Sequence, residues 1–150
     1  MIVFPTSDKE KIKKVLCDPW VYDRITEDGS PEIGLYEPAL SKEIIYLTDK
    51  DLTGIVIFHP VNAITQEIHV QVLDRKLAKE FVKSCFNWVW NNTETMKVIA
   101  QIPEMYPDVY RFAEKMGMER EGENTGSYLK KGSISSQFYY GIRRPSSWDL

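Results

Sequence analysis

Two side chains suited to proton chemistry stand two residues apart in one segment. In Gln66-Glu67-Ile68-His69-Val70-Gln71-Val72-Leu73, polar and apolar residues alternate for most of the length, which is the period of a β-strand. Glu67, His69 and Gln71 therefore share one face, opposite Ile68, Val70 and Val72. An imidazole titrates close to neutral pH, whereas a carboxylate must be buried before its pKa rises into that range. His69 and Glu67 are thus the two candidates for a base that removes a proton from a bound substrate.

The partner of a base is a proton donor. Tyr106 and Tyr110 are one helical turn apart on about the same face, so either could reach a cleft beside the helix, and Tyr110 is taken as the candidate donor. A metal centre on His59 and His69 lacks a third ligand at suitable spacing, so no metal is expected. Cys17 and Cys85 match no redox or metal motif and read as reduced thiols. Gly-x-Ser-x-Gly, His-Glu-x-x-His, the phosphate-binding P-loop and the dinucleotide fingerprint do not occur, which removes the commoner hydrolase, zinc-protease and nucleotide readings.

The elements that must position these groups follow from pattern. Ile2-Val3-Phe4 is a short strand, and Ser7-Asp8-Lys9-Glu10 has capping-box spacing for a helix from Asp8 to Leu16. Asp18-Pro19 starts a second helix that carries Trp20, Val21 and Ile25 to Thr26. Strands are expected at Glu43 to Leu47, Leu52 to Phe58 and Gln66 to Leu73, then a helix from Arg75 to Trp90 that Asn91-Asn92 stops. Lys97 to Ile102 is a buried strand, parallel to the one before the helix because the helix crosses between them. A helix from Tyr106 to Met116, closed by Gly117, precedes two strands around Lys130-Lys131-Gly132. The whole chain reads as one α/β domain, residues 1–150, with a short tail from about 143.

Composition narrows the class. Apolar residues make up 43% and charged residues 27% of 150, the proportions of a globular protein, with no run that spans a bilayer. The N-terminus lacks a secretory pattern, so a cytoplasmic location is expected. The net charge is −3 and basic residues are interleaved with acids, which disfavours nucleic acid. Lys9, Lys11, Lys13 and Lys14 read as a solvated face. Trp88 and Trp90 cannot share a helix face, so one is expected outside; Trp20, Tyr22, Tyr139, Tyr140 and Trp148 add further large rings suited to an interface.

The order of elements from Ile2 to Ile142 resembles the GNAT N-acetyltransferase family, and Phe112-Ala113-Glu114-Lys115-Met116-Gly117-Met118 is similar to that family's late helix. The resemblance implies a mixed, mostly antiparallel sheet with a splayed central parallel pair. It implies acetyl-CoA in the splay, along Val70 and Val72, with its pyrophosphate at Arg75, Lys76, Leu77 and Ala78. It further implies a base from the central strand, Glu67 or His69, and a tyrosine acid on the late helix. Ala113 stands at the aligned tyrosine position, which leaves Tyr110 or Tyr106.

The family's phosphate loop reads Arg/Gln-x-x-Gly-x-Gly/Ala, but Asp74-Arg75-Lys76-Leu77 contains no glycine. A Cβ would crowd the approach of phosphate to backbone, and the Asp74 carboxylate is placed to cap the same N–H groups. With this loop and its aromatic-rich ends the chain is similar to small GNAT-like proteins of tailed bacteriophages, some associated with head assembly. That likeness implies an assembly role with a protein partner in the host cytoplasm. Separately, Gly141 and the tail beyond Arg143 either serve contacts of a homodimer or fray. The other reading is an acetyl-CoA-dependent N-acetyltransferase acting on an amine.

Overall fold

The computed structural model describes residues 1–146. Its strands are β1 (Phe4–Pro5), β2 (Ile45–Thr48), β3 (Gly54–Pro60), β4 (Thr65–Val72), β5 (Lys97–Pro103), β6 (Glu119–Lys130) and β7 (Ser133–Arg143). They form one sheet in the order β1-β2-β3-β4-β5-β7-β6. Every neighbouring pair is antiparallel except β4 and β5, the pair joined through a crossover helix. The helices are α1 (Lys9–Leu16), α2 (Pro19–Ile25), α3 (Ala78–Asn92) and α4 (Pro107–Lys115). Among the described residues no helix is long and apolar enough to cross a membrane.

The apolar run Ile55-Val56-Ile57-Phe58 shows why the sheet lies between two layers. Ile55 and Ile57 pack with Ile12, Val15, Leu16 and Tyr46 beneath α1. Val56 and Phe58 point the other way, to Phe81, Val82, Cys85 and Val89 of α3. A strand buried on both faces must be apolar throughout, as this one is. Opposite it, β4 keeps Ile68 on the α3 side and places Glu67, His69 and Gln71 under α1 and α2, because directly paired residues share a face.

Local chemistry moved several boundaries. Asp8 rather than Ser7 caps α1, its carboxylate accepting from the N–H groups of Glu10 (3.1 Å) and Lys11 (3.2 Å). Lys9 and Lys13 are not simply solvated: both bind the Glu37 carboxylate. β1 begins at Phe4, β2 at Ile45 and β3 at Gly54, and His59 and Pro60 lie inside β3 rather than closing it. Arg75–Leu77 forms a single 3-10 turn, so α3 begins at Ala78 and continues past Trp90 through Asn92. Neither helix tryptophan is exposed. Trp90 is buried and stacks on Phe86, while Trp88 reaches the rim of the same wide apolar stripe. Tyr22 and Tyr140 are also buried; Trp20 and Tyr139 are the exposed rings, and Trp148 lies outside the described residues.

The β6–β7 hairpin turns on Lys131 (φ 51°) and Gly132 (φ 77°), two consecutive left-handed residues that match the twist of the strands. The Asp28 carboxylate accepts both of their N–H groups at 2.9 Å. Next to them Lys130, only 7% exposed, donates its ammonium to the carbonyls of Asp23 and Thr26 at the end of α2. The hairpin thereby holds α2 against the sheet.

Candidate active site

β4 and β5 are paired only from Thr65↔Lys97 to Glu67↔Ile99. Beyond that point the strands part, and three spaces with shared lining residues open around the gap. Between the strands lies an apolar chamber of about 160 Å³, lined by Ile68, Ala100, Ile102, Phe112, Ala113 and Met116 among others. On the α1–α2 side is a more polar chamber of about 350 Å³, with Tyr22, Tyr36, Glu37, His59 and His69. On the α3–α4 side is a cleft of about 410 Å³, with Trp20, Arg24, Val70, Val72, Arg75 and Lys79. Ile25 and Gln71 line all three, and His69 lines the apolar and polar chambers.

At the point of divergence His69 Nε2 lies 3.0 Å from Glu67 Oε1. The hydrogen bond from His69, aided by one from Gln101, holds the Glu67 carboxyl below the usual range although burial works against it. Sequence reasoning asked whether burial would raise Glu67 toward neutrality; the shift runs the other way. Glu67 is therefore an ionised carboxylate beside the His69 ring. The His59 ring meets His69 edge-on at 5.1 Å. Burial chiefly, then the charge of His69, lowers the His59 pKa. In the polar chamber Tyr36 is pushed up to about 12 by burial first and then by its neighbours, so it remains a neutral hydroxyl.

Tyr110 is held elsewhere. Its ring packs edge-on against Phe138 at 5.5 Å, stacks on Tyr140 at 6.4 Å and lies beneath Arg120 at 5.2 Å. It lines none of the three spaces, and Tyr106 is covered by Arg24 at 4.5 Å. Ala113 does face the apolar chamber, where its small side chain leaves room. Among the described residues no group of three or more His, Cys, Asp or Glu side chains could hold a metal. Cys17 and Cys85 are free thiols, and burial pushes Cys85 up, away from reactivity.

Of the six residues expected along the cofactor, Val70, Val72, Arg75, Lys76 and Ala78 line the α3–α4 cleft. Leu77 lies instead with Leu73 and Asp51 on the other side of the turn. The Asp74 carboxylate accepts the Lys76 N–H at 3.1 Å, but it caps the 3-10 turn and not α3, whose first turn has no side-chain cap. Sequence reasoning missed Trp20, Arg24, Lys79 and Lys115. The one signal was Trp20 and Arg24 standing one helical turn apart.

No protein-family model and no curated protein sequence matches the chain. Solved structures do. The spermidine N-acetyltransferase of Vibrio cholerae in complex with CoA and spermine superposes with a TM-score of 0.78 at 10% identity, over 99% of this chain and 98% of that one. The protein smu.2055 of Streptococcus mutans UA159 gives 0.73 at 17%, over 97% and 100%. An acetyltransferase of the GNAT family from Bacillus anthracis gives 0.69 at 18%, over 96% of each. The fold is that of the GNAT acetyltransferases, with the mixed sheet and single parallel pair expected from the sequence.

Proposed function

We propose that the chain is a CoA-dependent N-acetyltransferase that acts on a primary amine. The observation that carries this reading is the meeting of a cationic cleft, an apolar channel and a polar chamber at the point where β4 leaves β5, with the His69–Glu67 pair beside it. The CoA complex of the Vibrio cholerae enzyme supports it by likeness of fold.

Acetyl-CoA bound along β4 would supply an acyl thioester. The main chain at Val70 and Val72 has no β5 partner, so its amide groups are free to pair with the amides of the pantetheine arm, much as an added strand would. His69 accepts the proton of the incoming ammonium, and the Glu67 carboxylate fixes the ring and stabilises the imidazolium. A thiol with a pKa near that of cysteine, about 8.5, leaves as thiolate without a strong acid. The placement of Tyr110 away from the site is therefore no obstacle.

The polar chamber bears on the acceptor. Among the described residues Glu37 is its one lining carboxylate, and Lys9 and Lys13 both answer it. A polyamine needs uncompensated negative charge for its second and third ammonium groups, so an amine with a single charge suits this chamber better. The test is release of thiol from acetyl-CoA with a panel of monoamines and with spermidine. Turnover that survives unchanged in His69→Ala would sink the assignment of the base.

A second reading draws on the glycine-free turn with its Asp74 carboxylate: a phage-type assembly factor that works through a protein partner or a homodimer and does no chemistry. Under that reading neither CoA nor acetyl-CoA raises the melting temperature, whereas a ligand of the native state must raise it.

A further inference from the structure

The α3–α4 cleft is unusual in its charge. Arg24, Arg75, Lys76, Lys79 and Lys115 line it, against one carboxylate among the described residues, Asp108. Asp108 is already committed to Arg24. Among the described residues the other four cations have no carboxylate partner, in a chain whose net charge is −3. Four cations without an ion-pair partner, with Asp74 and Asp18 the nearby opposing charges, still leave this concave surface net positive and suited to a polyanion.

Arg75 is also oriented. Its guanidinium carbon sits 3.9 Å from the centre of the Trp20 ring, and Arg24 lies 4.8 Å from the same ring. A guanidinium laid on an indole uses its face for the contact and leaves its edge, where all the N–H donors are, free for oxygen acceptors. The Asp74 carboxylate caps the turn that carries Arg75, and the uncapped first turn of α3 adds the positive end of a helix dipole beside Lys79.

We propose that this chain holds the phosphates of a CoA-type ligand with side chains, through Arg75 braced on Trp20 and the ammonium groups of Lys76, Lys79 and Lys115, in place of a glycine-rich backbone cradle. The inference rests on the reading of this cleft as a CoA site and adds which groups bind and how. Each Cβ that would keep phosphate from the backbone is then immaterial, because the contact is made several bonds further out.

The experiment is calorimetric titration of the full chain with CoA and with pantetheine, which lacks the phosphates, together with melting curves. Arg75→Ala is expected to weaken CoA about tenfold or more, as loss of a charge-assisted phosphate contact does. Trp20→Leu is expected to weaken it about threefold by releasing the brace, and Arg75→Lys to restore only part, since lysine has no planar fork. Pantetheine affinity should not move in any variant. CoA affinity unchanged in both Arg75→Ala and Trp20→Leu overturns the inference and leaves the CoA site standing, and an equal loss for pantetheine overturns it as a mere structural effect. Absence of any CoA binding to the unaltered chain overturns this inference and the proposed function together.

Discussion

Lys130→Met tests whether the hairpin clasp is what holds α2 over the site. The ammonium donates to two carbonyls at the end of α2 and is nearly inaccessible to solvent. Thr26 keeps a second donor, the Tyr128 hydroxyl at 3.1 Å, so the main loss falls on Asp23. One hydrogen bond from a charged donor contributes about 1.5–3 kcal/mol, and a cation at a helix C-terminus about 0.3–1 kcal/mol. Methionine preserves most of the buried alkyl stem. A net loss of about 2 kcal/mol is expected, which for a chain of this size lowers Tm by roughly 4–8 °C. The control is Lys131→Met at the exposed neighbour, expected to change stability by under about 0.5 kcal/mol. Because α2 carries Trp20, Arg24 and Ile25, CoA affinity should fall with Tm in Lys130→Met only. A drop smaller than about 2 °C, or one matched by the control, refutes the clasp.

The remaining expectations are narrower. Glu67→Gln removes the carboxylate that holds the His69 ring at 3.0 Å, so kcat for acetyl transfer should fall about tenfold or more with KM for the amine little changed; unaltered turnover counts against the pairing. His59 has its folded-state pKa lowered, by burial first, so the unfolded chain takes up its proton at higher pH. Stability is full above the unfolded value of about 6.5 and falls as pH drops through the interval below it. His59→Gln should therefore show a smaller loss of Tm than the unaltered chain between about pH 7.5 and about pH 5.5. Asp74→Asn keeps a cap for the turn but removes a negative charge beside the cleft, and should tighten CoA binding by about 0.3–1 kcal/mol in the same titration. Gly132→Ala meets no atom within 4 Å but forces φ 77° on a residue with a Cβ, at a cost of about 1 kcal/mol in chemical denaturation.

Periodicity made the sheet readable. Alternation in Gln66 to Leu73, the crossover of α3 and the apolar run at Val98 to Ile102 placed β4, β5 and their parallel sense, and with them the shared face of Glu67, His69 and Gln71. What pattern cannot report is which distant segments meet. Trp20 read as an exposed ring suited to an interface, yet it underlies Arg75, fifty-five positions on. Lys130 read as a turn residue and is buried on α2. Tyr110 was placed by helical phase near the cleft, but phase fixes only the direction from the helix axis, and β7 supplies Phe138 and Tyr140 to hold the ring. The Asp74 cap was legible; that it serves a separate 3-10 turn depends on a boundary three residues wide, below what periodicity resolves.

For the proposed acetyl transfer, the two departures from the GNAT pattern, the glycine-free turn and Ala113, bear on different parts of the reaction. Loss of a backbone cradle affects how tightly phosphate is held, and side-chain cations can offset that because the Coulomb attraction does not require a bare backbone. Loss of a tyrosine affects protonation of a leaving thiolate, which is a weak base and needs little help at neutral pH. Neither departure touches the step that does demand a protein group, removal of the ammonium proton from an acceptor amine, whose own pKa is near 10 if it resembles lysine. That demand falls on the β4 face, where His69 is held at 3.0 Å by an ionised Glu67. On that proposal, the residues that differ are those whose work can be shared or dispensed with, and the pair proposed to meet the chemical requirement lies where β4 and β5 separate.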